Sequence, residues 1–107
     1  MTDKEQTFGR AISQARKKLG WSQKELASKI RREDHEPISP QYLNDIEHDR
    51  RSPTSDHMVR EFANVLKMEA DWLYYLAGKF PSDVRERKLS ETEVKSLMVA
   101  FRKSPKR

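Results

Sequence analysis

Residues 22–47 read SQKELASKIRREDHEPISPQYLNDIE. Two short helical patterns flank RREDHEP (31–37), a run of charged residues and one histidine that ends in proline. On the left, Ser22 and Glu25 have the spacing of a capping box: the serine oxygen accepts from a backbone N–H three residues on, and the glutamate reaches back. The helix it opens turns Leu26, Ala27 and Ile30 to one side. On the right, Ser39 is a favoured N-cap, and Pro40 suits the first helical position, where its missing N–H is harmless. Leu43 and Ile46 then face inward, with Tyr42 at the edge. Ile30 and Ile38 bracket the polar run as core anchors. Doubling a loop adds only about 0.6 kcal/mol of closure entropy, so the run need not separate the two helices. The second helix is expected to run on through Arg31 and Arg32 before the chain turns, leaving EDHE (33–36) in solvent.

Helical spacing continues outward from this pair. Phe8, Ile12, Ala15 and Leu19 recur at i, i+4, i+7 and i+11, on a first helix ended by Gly20. Residues 54–68 predict a fourth helix, capped by Thr54 or Ser55, with Met58, Val59, Phe62, Ala63, Val65 and Leu66 on one broad face. EADWLYYLAG (69–78) is a short, apolar fifth helix closed by Gly78. Beyond the basic joint VRERK (84–88), a second capping box, Ser90 and Glu93, opens a sixth helix with the stripe Val94, Leu97, Met98 and Phe101. Strand alternation is weak throughout. The expected fold class is all-α: a compact five-helix bundle over residues 7–80, with an additional C-terminal helix within 81–107. Residues 1–6 are expected to be a flexible N-terminus, and SPKR (104–107) a frayed tail.

Composition limits the function classes. The chain has 107 residues, enough for one small domain, and only 35% are apolar, so the core must be small and the surface charged. No run approaches the roughly 18 to 20 apolar residues of a membrane span, and the first residues lack the form of a secretory signal. Cysteine is absent, which excludes disulfides and thiolate metal sites and agrees with a cytoplasmic location. The net charge of +5 permits a polyanionic partner. Residues 21–50, however, carry −2, while residues 1–20 carry +3 and residues 81–107 carry +4. Charge alone therefore does not argue for nucleic acid.

The segments GRAISQARKKLGWSQKELA (9–27), ISPQYLNDIE (38–47) and ADWLYYLAG (70–78), taken in this order, resemble the phage-repressor/Cro type, or XRE family, of helix-turn-helix transcription regulators. The resemblance covers about two-thirds of the chain. It implies a repressor-like bundle in which the helix from Ser22 crosses the DNA backbone and the helix from Ser39 enters the major groove. By position, Pro40, Gln41, Asn44 and Asp45 match the family's base-facing residues. Gln41 and Asn44 share a face, and each amide can pair bidentately with adenine; the alternative is two solvated amides. Pro40 offers only apolar contact, and Asp45 an acceptor for cytosine N4 or repulsion of wrong approaches. Gln23, Lys24, Tyr42, Arg50 and Arg51 match or adjoin phosphate-contacting positions, and Arg31 and Arg32 are further phosphate candidates beside the groove. Arg16 and Glu47 match the family's buried ion pair, a structural role. Two departures are visible. RREDHEP stands where relatives usually have a tight glycine turn, and Asp49 where many have glycine after the third helix, a position Asp tolerates in the left-handed conformation.

The expected function is a sequence-specific double-stranded DNA-binding transcriptional regulator, a homodimer reading a pseudo-palindromic operator. Its dimer surface is sought among Trp72, Tyr75, Leu76, Val94, Leu97, Met98 and Phe101. The alternative is an antitoxin or adaptor that mainly binds a protein partner, a toxin or the transcription machinery, and autoregulates. An enzyme is not expected: there is no metalloprotease helix motif or glycine-rich phosphate loop, and EDHE reads as surface charge rather than a metal site. No cofactor is implied.

Overall fold

A computed structural model describes residues 6–52 and 55–103. Most of the described helices begin where the sequence supplies a side-chain oxygen for the orphan N–H groups of the first turn. Helix α1 (Phe8–Lys18) is capped by Thr7, α2 (Gln23–Lys29) by the Ser22–Glu25 box, α3 (Pro40–Glu47) by Ser39, and α4 (Asp56–Leu66) by Ser55. Thr54, the other expected cap of α4, lies outside the described residues, as do the first five residues and the SPKR tail. Helix α5 (Ala70–Leu76) follows without a side-chain cap; α6 (Ser82–Arg85) is a single turn, and α7 (Glu91–Arg102) opens on the Ser90–Glu93 box. Gly20 and Gly78 take positive φ after α1 and α5, the left-handed stop that glycine adopts without a Cβ clash.

The apolar faces of α1 to α5 converge on Ile12, Leu26, Ile30, Leu43, Ile46, Val59, Phe62 and Leu73, all fully buried. Phe8 meets Phe62 edge-on, with centroids 5.8 Å apart. Helix α1 packs on α3 and α4, α2 on α3, and α4 on α5. The sole glycine within a helix, Gly9, lets α1 touch the end of α3: a Cβ there would lie 2.3 Å from the Ile46 carbonyl oxygen. The all-α, repressor-like bundle is thus present.

Four local expectations need correction. Helix α2 does not continue through Arg31 and Arg32; it stops at Lys29, and Ile30 is already extended. The next residues pair with one another: Arg31 and Pro37 form an isolated antiparallel bridge. Leu19 leaves the buried face of α1 at the helix end and is 43% exposed, while Ala11 is buried in its stead. Leu76 is half-buried against the core rather than exposed. Helix α6, not expected from the sequence, runs into the start of the basic joint and is held by Arg85, whose guanidinium binds the Asp56 carboxylate at the start of α4. That pair holds the Asp56 carboxyl below its ordinary range, chiefly through the hydrogen bond from Arg85.

Candidate nucleic-acid interface

Helix α3 carries the residues expected to face bases, and its inner face is committed to the core while its outer face is not. Leu43 and Ile46 are fully buried, and Glu47 is buried beside them, whereas Pro40 and Gln41 are exposed and Asn44 and Asp45 half-buried. Its orientation is fixed by a bidentate ion pair: Arg16 Nε lies 2.6 Å from Glu47 Oε2, and Nη2 lies 3.0 Å from Oε1. Arg16 Nη1 also donates to the Trp21 carbonyl at 2.8 Å, so one guanidinium joins α1, the turn before α2, and α3. Such a pair carries uncertain net stability, but losing either partner would strand a charge in the core.

Glu47 reaches further. Its Oε1 accepts from Gln23 Nε2 at 2.9 Å, and the same Gln23 nitrogen donates to Asn44 Oδ1 at 3.1 Å. Both hydrogens of the Gln23 amide are therefore turned inward, toward α3, rather than outward as the phosphate assignment would need. Lys24, one residue on, is exposed.

Asp45 is a second hub. Its Oδ1 accepts from Gln41 Nε2 at 3.1 Å, one helical turn back, and from Arg50, whose Nη2 lies 3.1 Å away. Arg51 Nε stands 3.9 Å from Oδ2, and its guanidinium lies 5.2 Å from the Tyr42 ring centroid. The chain after α3 bends back because the N–H groups of Arg50 and Arg51 both donate to the Asp45 carbonyl. One carboxylate thus gathers the amide and both arginines assigned to the groove, and Tyr42 supports the second arginine.

The RREDHEP run is an ordered hairpin. Its base is clasped by Ile38 N–H donating to the Ile30 carbonyl at 3.0 Å. Higher up, Arg32 N–H donates to Glu36 O and His35 N–H to Arg32 O, with His35 at φ 70°. Asp34 closes the tip, accepting from Glu36 N–H at 3.0 Å and pairing with Arg32 at 2.8 Å. These bonds hold the Asp34 carboxyl below its ordinary range and raise the Arg32 guanidinium, the side-chain bond between them being the largest cause for each. The hairpin is tied to α4: His57 Nε2 donates to the Arg31 carbonyl at 2.8 Å, and Glu61 accepts from Arg31 N–H at 3.1 Å. A hollow of about 410 Å³ lies between the hairpin and the start of α3, lined by Arg32, Pro37, Ser39 and Tyr42 among others. Arg31 and Arg32 are both exposed, and Arg32 lines the hollow.

The expected dimer residues divide. Trp72 and Tyr75 stack on each other, centroids 5.6 Å apart, and are 42% and 71% exposed. No described residue of α7 is buried: Val94, Leu97 and Phe101 are exposed, and Met98 is half-buried. The EDHE run gathers no metal-binding cluster, and none occurs among the described residues. No described helix is long and apolar enough to cross a membrane. Sequence reasoning missed the anchors His57 and Glu61, which lie on another helix, and the double use of Asp49, whose Oδ2 accepts from Thr7 Oγ1 at 2.6 Å and whose Oδ1 accepts from Gly9 N–H.

The helix-turn-helix family model HTH_3 matches residues 12–73, a span that includes the candidate residues from Gln23 to Arg51. Among solved structures, the SinR protein/SinI protein complex is similar to this chain at 23% identity and a TM-score of 0.51, over 94% of this chain and 84% of the other. No curated protein matched.

Proposed function

Because the chain belongs to the helix-turn-helix family, a family of DNA-binding transcription regulators, we propose that it recognises a specific double-stranded DNA sequence through α3. The supporting observation is the division of labour on that helix. Its inner face is locked by the Arg16–Glu47 pair, while on the other side Pro40 and Gln41 are exposed and Asn44 and Asp45 half-buried. An α-helix is about as wide as the major groove, and a rigidly held helix can carry side chains to base edges in one register. Lys24, Arg31, Arg32, Arg50 and Arg51 are exposed and supply positive charge for phosphates. Gln23 serves through Asn44, and Tyr42 through Arg51. The protein acts as a homodimer, since one such helix spans only a few base pairs, and its half-sites lie about 34–36 Å apart. Selection of bound duplexes from a random pool tests this. A pseudo-palindromic consensus that decays when Gln41 or Asn44 becomes alanine is expected, and the absence of any consensus would refute it.

A second reading, an adaptor that chiefly binds another protein, is favoured by one observation: α7 displays Val94, Leu97 and Phe101 without burying any of them. A toxin or a component of the transcription machinery would then cover that stripe. Co-purification from the native host, with and without Leu97→Glu, separates this reading from a dimer of identical chains.

A further inference from the structure

Glu47 and Asn44 are joined only through Gln23, and hydrogen-bond polarity passes along that chain. A carboxylate accepts and cannot donate, so the Gln23 amide must turn its NH2 toward Glu47. The 2.9 Å contact uses one of its hydrogens. The other points at Asn44, 3.1 Å away, which must answer with Oδ1. Turning Asn44 over would set two NH2 groups against each other. Turning Gln23 over would set its carbonyl against the carboxylate. Each reversal forfeits hydrogen bonds in a partly buried place, where an unmade bond is expensive. Glu47 itself cannot rotate away, because Arg16 holds both of its oxygens.

We propose that this relay makes Asn44 a polarised base reader: Glu47 and Gln23 act as positioning residues that hold the Asn44 Nδ2 donor outward. The inference rests on α3 being the groove-facing helix. A base opposite Asn44 must then offer an acceptor in the major groove. Guanine (N7, O6), adenine (N7) and thymine (O4) do; cytosine presents the N4 donor and is rejected. A freely rotating asparagine would have no such bias, since flipping its amide would present the oxygen. Gln41 is held less firmly: it is exposed and makes a single bond, to the half-buried Asp45 carboxylate, which two arginines share.

The test has two arms. In the free protein, side-chain amide NMR should show the Gln23 NH2 protons exchanging at least ten-fold more slowly than those of exposed Gln41; equal rates would overturn the relay. In pool selections, Asn44→Ala should relax one base position. At that position the wild type should disfavour cytosine by on the order of five-fold, the worth of one hydrogen bond. Gln23→Met, which keeps the side-chain length and leaves the Arg16–Glu47 pair in place, should bring cytosine to within about two-fold of the preferred base. Cytosine preferred by the wild type, or its exclusion unchanged in Gln23→Met, would overturn the inference while leaving DNA recognition intact. A pool that yields no consensus although the Gln23 protons are protected refutes the DNA-reading proposal, and this inference with it.

Discussion

Asp49 accepts the backbone N–H of Gly9 at 2.9 Å, and so binds the turn after α3 to the first turn of α1. The same residue stands at φ 60°, the conformation for which glycine is the usual choice. Aspartate accepts the backbone strain and contributes a carboxylate that also takes the Thr7 hydroxyl. Asp49→Gly relieves the strain but loses both bonds and is expected to destabilise by about 1 kcal/mol. Asp49→Ala keeps the strain, loses the bonds and should cost about 1 kcal/mol more. Gly9→Ala should be worse than Asp49→Gly, since its Cβ would press on two backbone oxygens. Urea unfolding of the three variants checks the order.

The Arg16–Glu47 pair should prove far more costly to break than to replace. Arg16→Met leaves a buried carboxylate unpaired and is expected to destabilise by roughly 3–5 kcal/mol. Adding Glu47→Leu should recover much of that loss, because the stranded charge goes with it. Equilibrium unfolding of the two singles and the double decides; a double mutant no better than Arg16→Met contradicts the account.

Asp45 should restrain non-specific binding. It neutralises part of the charge of Arg50 and Arg51 beside the groove face. Asp45→Asn is expected to tighten binding to random duplex several-fold at low salt and to steepen the dependence of affinity on salt, as more cationic charge reaches phosphate. Titrations at several salt concentrations measure both. Arg31→Ala with Arg32→Ala should shift the salt slope the other way.

Acid should open the hairpin tip in a defined window. Asp34 is held below its ordinary value of 3.8, first by Arg32 and then by the Glu36 N–H. A depressed carboxyl contributes its stabilisation fully above the unfolded value and loses it as pH falls through the folded one. The Asp34 side-chain carboxyl carbon resonance should therefore titrate with its midpoint below 3.8, and the Glu36 amide resonance should show a transition with that same midpoint. In Asp34→Ala that titration should vanish, leaving the helices unaltered by circular dichroism.

Helix α7 should govern self-association. Leu97→Glu combined with Phe101→Glu places charge on an exposed apolar stripe and touches nothing in the bundle core. Sedimentation equilibrium should shift toward monomer with the thermal transition retained. A monomeric wild type on operator DNA would end the dimer proposal.

The helices were readable because their signals are local. A capping box needs four consecutive residues, and Ser22–Glu25 and Ser90–Glu93 both form as spaced. Helix α6 was not readable, since a single turn has no periodicity. The hairpin at 31–37 escaped for another reason: its anchors His57 and Glu61 lie 26 and 30 residues from Arg31, and nothing in RREDHEP points to them. Distance also hid the inward turn of Gln23. Its partners are 21 and 24 residues away, and an N-terminal glutamine with no visible partner reads as free for phosphate. The hold of Arg50 and Arg51 on Asp45 is hidden too, because both arginines follow the end of the helix, where helical spacing no longer predicts a neighbour.

The clasp between the Ile30 carbonyl and the Ile38 N–H has a practical corollary. It closes a small ring of chain whose far end, around His35, is exposed, while both flanking isoleucines are anchored in the core. Extra residues spliced at that far end would hang from a closed buckle, without leverage on either helix. A fluorophore or short epitope carried there would report on the position of α3 without displacing it.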